Sequence, residues 1–115
     1  MQKNNTYSSE SAIMRAIQLA ASTQGHRLFR NNTGLFYTKV GTPVRCGLCV
    51  GSSDLVGYTS TGRFLAVEVK TTPGRLSNDQ RAFLMAVVAA GGIGICARSV
   101  DDFFCHLSRF LSNNS

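Results

Sequence analysis

Apolar positions recur at helical spacing first between Ser9 and Thr23, where Ile13, Ala16, Ile17 and Ala20 form a stripe that Met14 and Ala21 widen. Ser8 or Ser9 can cap this segment and Gly25 can end it. The pattern then changes to short strand-like runs. His26–Arg30 and Leu35–Val40 flank the turn-forming stretch Asn31-Asn32-Thr33-Gly34, and Asp54–Tyr58 and Phe64–Lys70 form a second pair. Ser77–Ala90 is the clearest helix. Its opening, Ser77-Asn78-Asp79-Gln80, fits a capping box with Ser at the N-cap and Gln at N3. Ile93–Ala97 reads as a buried strand, and Ser99-Val100-Asp101-Asp102 opens a last helix with its acids at the positive end. The predicted order is α-β-β-β-β-α-β-α. It implies an α/β fold, a mixed sheet flanked by helices, as one domain over residues 1–115 with residues 1–7 and 112–115 frayed.

Composition narrows the function classes. The chain has 115 residues, of which 43% are hydrophobic, enough for a core without disulfide or metal staples. The start, Met1-Gln2-Lys3-Asn4-Asn5-Thr6, leads into no apolar leader, so an intracellular protein of a bacterium or a phage-infected host is expected. The most apolar run, Ala82–Ala97, is shorter than the roughly 18–20 residues of a membrane span and is broken by Gly91 and Gly92. No membrane association is expected. Twelve Lys and Arg against six Asp and Glu leave a net charge of +6, which suits a polyanionic partner such as nucleic acid.

The candidate chemistry sits around Phe64-Leu65-Ala66-Val67-Glu68-Val69-Lys70. Strand side chains alternate, so Leu65, Val67 and Val69 share one face while Ala66, Glu68 and Lys70 share the other. Ser60-Thr61-Gly62 makes a three-residue hairpin loop with Gly62 at its left-handed position. That turn pairs Thr59 with Arg63 and, counting back, Asp54 with Glu68. Two carboxylates directly opposite each other repel unless something neutralises them. Oxygen ligands suit Mg²⁺ or Mn²⁺, and Lys70 beside the pair can stabilise charge on a phosphate. Glu10 lies on the apolar stripe of the first helix, at i−3 and i−7 from Ile13 and Ile17, so it is expected to join the acids at the same place.

Asp54 followed by Glu68-Val69-Lys70, with Glu10 upstream and Gln80 downstream, resembles the PD-(D/E)xK nuclease superfamily, and most closely its VRR-NUC branch. The resemblance runs from about Glu10 to Phe104 through an ordered set of segments: Ser9-Glu10-Ser11, Arg30–Gly34, Gly51–Gly57, Phe64–Lys70, Gly74–Gln80 and Ala90-Gly91-Gly92. It implies a restriction-endonuclease-like core and metal-dependent hydrolysis of DNA. Asp54, Glu68, the Val69 carbonyl and Glu10 would be metal ligands, Lys70 the catalytic lysine, and Gln80 a residue that orients the site. Stand-alone members of this size resemble Holliday-junction resolvases, which implies a homodimer acting on branched DNA. Ser53, not Pro, precedes Asp54, as is common in this branch.

The remaining polar residues each have a plainer reading beside the functional one. Arg30, Asn31 and Asn32 form a polar turn that also suits phosphate contacts. The helix N-terminus at Ser77 can receive a phosphate, with Arg75 beside it. Lys39, Arg45, Arg63 and Arg81 are further candidates for a DNA face. Gln80 is equally the N3 half of a capping box. The cysteines at 46, 49, 96 and 105 are expected to be free thiols. Cys46-Gly47-Leu48-Cys49 has zinc-like spacing, but Cys96, Cys105, His26 and His106 are not spaced as a second pair of ligands. A catalytically silent DNA-binding protein of the same fold and a small zinc module are therefore the rivals to a nuclease.

Overall fold

In a computed structural model, which describes residues 9–112, the elements are α1 (Glu10–Thr23), β1 (Arg27–Arg30), β2 (Gly34–Tyr37), β3 (Pro43–Cys46), β4 (Leu55–Tyr58), β5 (Phe64–Val69), α2 (Asn78–Ala89), β6 (Ile93–Ala97) and α3 (Val100–Ser112). Leu65 to Val69 are all buried, so β5 has to be covered on both faces. It is one of the two inner strands of a four-stranded sheet of order β1-β4-β5-β6, antiparallel except for the parallel pair β5–β6. The parallel pair needs a crossover, and α2 supplies it.

One face carries the core. Leu65, Val67 and Val69 of β5 and Ile93, Ile95 and Ala97 of β6 pack with Met14, Ile17 and Ala21 of α1 and with Phe103 and Leu107 of α3. Each fully buried side chain of this size contributes roughly 1.5–3 kcal/mol. The capping residues act as the sequence suggests: Ser9 accepts from the Ala12 N–H, and Ser99 from the Asp102 N–H.

The other face is covered by α2, which lies close because small residues stand beneath it. A Cβ on Gly94 would come within 2.8 Å of the Leu84 carbonyl oxygen, and one on Gly92 within 2.8 Å of Val87. This close approach places the first turn of α2 over the end of β5. The apolar run Ala82–Ala97 is thus divided between α2, the turn at Gly91–Gly92 and β6. Among the described residues no helix is long and apolar enough to cross a membrane.

Two expectations need correction. Asn31–Gly34 is not the turn of a hairpin between its flanking strands: β1 pairs with β4, while β2 pairs with β3 in a separate two-stranded ribbon. The strand β3, absent from the expected order, carries little alternation, because Pro43 opens it and Arg45 and Cys46 close it. The expected fraying over residues 1–7 and at 113–115 lies outside the described residues, and Ser112 is the last residue of α3.

Candidate active site

The β4–β5 hairpin is built by local chemistry. The Thr59 N–H donates to the Arg63 carbonyl at 2.8 Å, and the Arg63 N–H donates to Thr59 Oγ1 at 3.1 Å. Gly62 adopts a φ of 88°, the left-handed conformation the loop requires. Buried His26 accepts from the Ser60 N–H through Nδ1 at 3.0 Å, tying the turn to the end of α1. The resulting ladder pairs Leu55 with Val67, so Asp54 and Glu68 are the next residues out, as the turn count expects.

There the backbone ladder gives way to side chains. Asp54 Oδ2 accepts from the Val69 N–H at 2.9 Å, and Glu68 Oε1 accepts from the Asp54 N–H at 3.2 Å. Each carboxylate is thus held by the main chain of the opposing strand, and the two acids face each other. Lys70 Nζ lies 3.6 Å from Glu68 Oε2, with the Glu68 side chain only 4% exposed and that of Lys70 16%. Burial and the Asp54 charge push the Glu68 carboxyl up to about 7, and the Lys70 ammonium opposes them only in part.

Gln80 makes contacts in two directions. Its Oε1 accepts from the Ser77 N–H at 2.8 Å, while Ser77 Oγ accepts from the Gln80 N–H, completing the capping box. The amide's other end, Nε2, donates to Glu68 Oε2 at 3.0 Å. The cap therefore dictates which end of the amide meets the buried carboxylate.

Asn31, offered by the sequence as a DNA contact, is instead spent internally. Its Nδ2 donates to Ser52 Oγ at 2.8 Å and to the Ser53 carbonyl at 2.9 Å, and its Oδ1 accepts from the Leu48 N–H at 3.2 Å. Its own N–H donates to the Asp54 carbonyl at 2.8 Å. Asn31 thus clamps the loop that delivers Asp54. No local signal marks this role, because every partner lies at least 17 positions away.

Glu10 opens α1, partly exposed. That helix packs on the Leu65–Val67–Val69 face, whereas Glu68 is directed to the α2 side. Among the described residues no three His, Cys, Asp or Glu side chains converge, so the expected cluster of three acids is not formed. Arg30 and Asn32 are exposed at the end of β1. Arg75 lies with Arg81 and Arg98 around a cleft of about 770 Å³ that follows β6 between α2 and α3. Arg98 was not among the sequence candidates. Its guanidinium donates to the Thr71 carbonyl at 2.8 Å, which sets the cleft beside Lys70. Arg63, another candidate, donates to the Gly91 carbonyl and stacks over Phe110. Cys46, Cys49 and Cys105 are exposed free thiols, and the half-buried Cys96 thiol is pushed up by burial.

Comparison with known proteins agrees with this architecture. No curated protein sequence matches the chain significantly. A solved structure described as a VRR_NUC domain protein superposes with a TM-score of 0.58 at 12% identity, covering 94% of this chain and 92% of that one. At that identity the likeness concerns the fold. The sequence model of the VRR-NUC domain matches residues 43–101, just over half of the chain and the stretch that holds Asp54, Glu68, Lys70 and Gln80. The chain therefore belongs to the VRR-NUC domain family, a nuclease-type domain.

Proposed function

We propose that this chain is a Mg²⁺- or Mn²⁺-dependent endonuclease that hydrolyses phosphodiester bonds in DNA, acting as a homodimer on four-way junctions or other branched DNA. The observation that carries the reading is the facing pair Asp54 and Glu68, interlocked through each other's backbone with Lys70 alongside. A buried carboxylate raised to about 7 beside a second acid is a site short of positive charge. A small divalent ion with a preference for oxygen fits that deficit. Asp54 and Glu68 would hold it, with the Val69 carbonyl as the further ligand suggested by the family pattern; Glu10, the other acid of that pattern, is not gathered with them. Such an ion supplies Lewis acidity toward a phosphate and acidifies water.

The chain's own groups do the rest. Lys70 presents its ammonium where negative charge grows on the phosphate. Gln80 orients Glu68, and Asn31 sets the position of Asp54. Arg75, Arg81 and Arg98 line a cleft next to the site, suited to a phosphate backbone, and Ser77 marks the adjoining helix N-terminus. The net charge of +6 favours the same partner.

The test is cleavage of a labelled four-way junction, a flap and a plain duplex in Mg²⁺, Mn²⁺ or EDTA, beside Lys70→Ala. Metal-dependent cleavage lost in Lys70→Ala is expected, with paired symmetric nicks in the junction. Binding without cleavage of any substrate, unchanged in EDTA, would overturn the reading in favour of a catalytically silent DNA-binding protein.

A further inference from the structure

Cys46-Gly47-Leu48-Cys49 takes no part in the chemistry of the acids, yet the fold sets it beside them. Cysteine is among the residues most often fully buried, whereas both of these thiols are exposed and free. They stand at the two ends of a bend that begins where β3 ends. Gly47 turns the chain there with a φ of 88°, and a Cβ on it would also collide with Thr33. The Cys49 N–H donates to Ser52 Oγ at 3.4 Å rather than back to Cys46, so the bend is open at its mouth. Both cysteines line one pocket of about 160 Å³, together with Arg45.

The bend is joined to the support of Asp54. Leu48, between the cysteines, donates its N–H to Asn31 Oδ1 at 3.2 Å. Ser52 Oγ donates to the Cys49 carbonyl at 2.7 Å and accepts from Asn31 Nδ2 at 2.8 Å. The Asn31 N–H donates in turn to the Asp54 carbonyl. The same loop also meets α2. A Cβ on Gly51 would come within 2.7 Å of Asp79 Cβ, one residue before Gln80. A change in the 46–49 bend therefore reaches both acids by short paths, Asp54 through Asn31 and Glu68 through Gln80.

We propose that Cys46 and Cys49 form a reversible disulfide by exchange with a small anionic disulfide such as oxidised glutathione, and that closing it slackens the Asp54 loop and lowers cleavage. One cysteine thiolate attacks a sulfur of the small disulfide and expels one thiolate. The second cysteine thiolate attacks the protein sulfur of the mixed disulfide and expels the other. Two protein thiols are oxidised, the small disulfide is reduced to two thiols, and these take up the two protons. Exposure admits the reagent, and Arg45 in the pocket offers a counter-charge to its carboxylates. A disulfide needs Cβ atoms roughly 3.5–4.5 Å apart, so the open bend has to tighten. The Leu48 N–H and the Cys49 carbonyl lie in the segment that moves, and their bonds to Asn31 and Ser52 are the ones lost. The effect on cleavage rests on the nuclease reading above; the bridge and its effect on the loop do not.

The experiment titrates the full chain in buffers of reduced and oxidised glutathione. Intact mass with peptide mapping follows the bridge, hydrogen exchange in EDTA follows the loop, and cleavage of branched DNA in Mg²⁺ or Mn²⁺ follows the site. Oxidation is expected to remove the mass of two hydrogens from the peptide that holds Cys46 and Cys49. Exchange at the Leu48, Cys49 and Asp54 amides should quicken at least tenfold, and cleavage should fall at least tenfold. A dithiol reductant should restore all three. Cys46→Ser/Cys49→Ser should cleave like the reduced wild type and ignore the oxidant, whereas Cys96→Ser/Cys105→Ser should respond as the wild type does. A bridge elsewhere, glutathione left attached as a mixed disulfide, a bridge without faster exchange, or one that leaves an active protein's cleavage unchanged overturns the proposal. Failure of the nuclease reading shows separately: the reduced protein then cleaves nothing in either metal, and mass and exchange alone decide the bridge.

Discussion

Replacing Glu68 by Gln separates what the buried carboxylate does for a reaction from what it does to the fold. Burial and Asp54 hold its pKa at about 7 against an ordinary 4.5, in spite of Lys70. The native state therefore binds this proton more tightly than the unfolded chain does. The stability linked to it is complete below pH 4.5 and is lost as pH rises through 7. The gap corresponds to roughly 3 kcal/mol, and the side chain is too buried for solvent to screen it. A Gln at this position cannot ionise and escapes the loss. It carries a cost of its own. Glu68 Oε1 accepts from Asp54 and Oε2 from Gln80, whereas an amide has one acceptor oxygen, so one donor is left facing a donor. That costs about 1 kcal/mol. The variant should be less stable than the wild type by about 1 kcal/mol at pH 4, about equal to it at pH 5 and more stable by about 2 kcal/mol at pH 8, a melting difference that changes sign at about 4 °C per kcal/mol. The assay is thermal or urea unfolding of both proteins in EDTA across this range, in which titrating groups remote from Glu68 cancel. A difference that does not vary with pH, or a variant still weaker than the wild type at pH 8, would refute the reasoning. Cleavage by Glu68→Gln should be absent at every pH.

Other substitutions probe the neighbouring contacts. Lys70→Ala should slow cleavage by roughly 10²–10³-fold, because it removes charge stabilisation at the phosphate. Gln80→Ala should cost about 1 kcal/mol through the lost cap. Gln80→Glu keeps a cap acceptor but sets a third acid against Glu68, so its cleavage should fall and recover only at higher pH; equal pH profiles for it and the wild type would contradict the Gln80–Glu68 contact. Asn31→Ala removes three side-chain hydrogen bonds and should cost about 2–3 kcal/mol by urea unfolding. Its cleavage should fall with unchanged affinity for DNA in EDTA, whereas a loss of affinity alone would restore Asn31 as a DNA contact. Wild-type cleavage at limiting Mg²⁺ should rise with pH toward and above 7, since the ion has to displace the Glu68 proton.

What could be read along the chain was what neighbouring residues decide among themselves. Ser60-Thr61-Gly62 sets the hairpin, the hairpin sets the register, and the register brings Asp54 opposite Glu68 without help from the rest of the fold. The caps at Ser9, Ser77 and Ser99 are equally local, because each oxygen reaches an N–H three residues on. The tertiary structure decided where alternatives of similar local merit compete. β1 had a nearby candidate in β2, yet it pairs with β4, where Leu28 and Leu55 can share the core. Asn31 looked like a turn residue, and its amide is satisfied only because the 48–53 loop folds back over it. Gln80 was legible as a cap, but its bond to Glu68 exists because Gly92 and Gly94 let α2 settle close to the sheet. Glu10 shares the periodicity of its helix, but periodicity does not say on which face of the sheet the helix will pack. The pKa of Glu68 belongs to the same class, since the exclusion of water that raises it comes from the packing of α2 against the sheet. Short-range geometry is written in the order of residues, while burial and the choice among distant partners are set by the whole chain competing for one core.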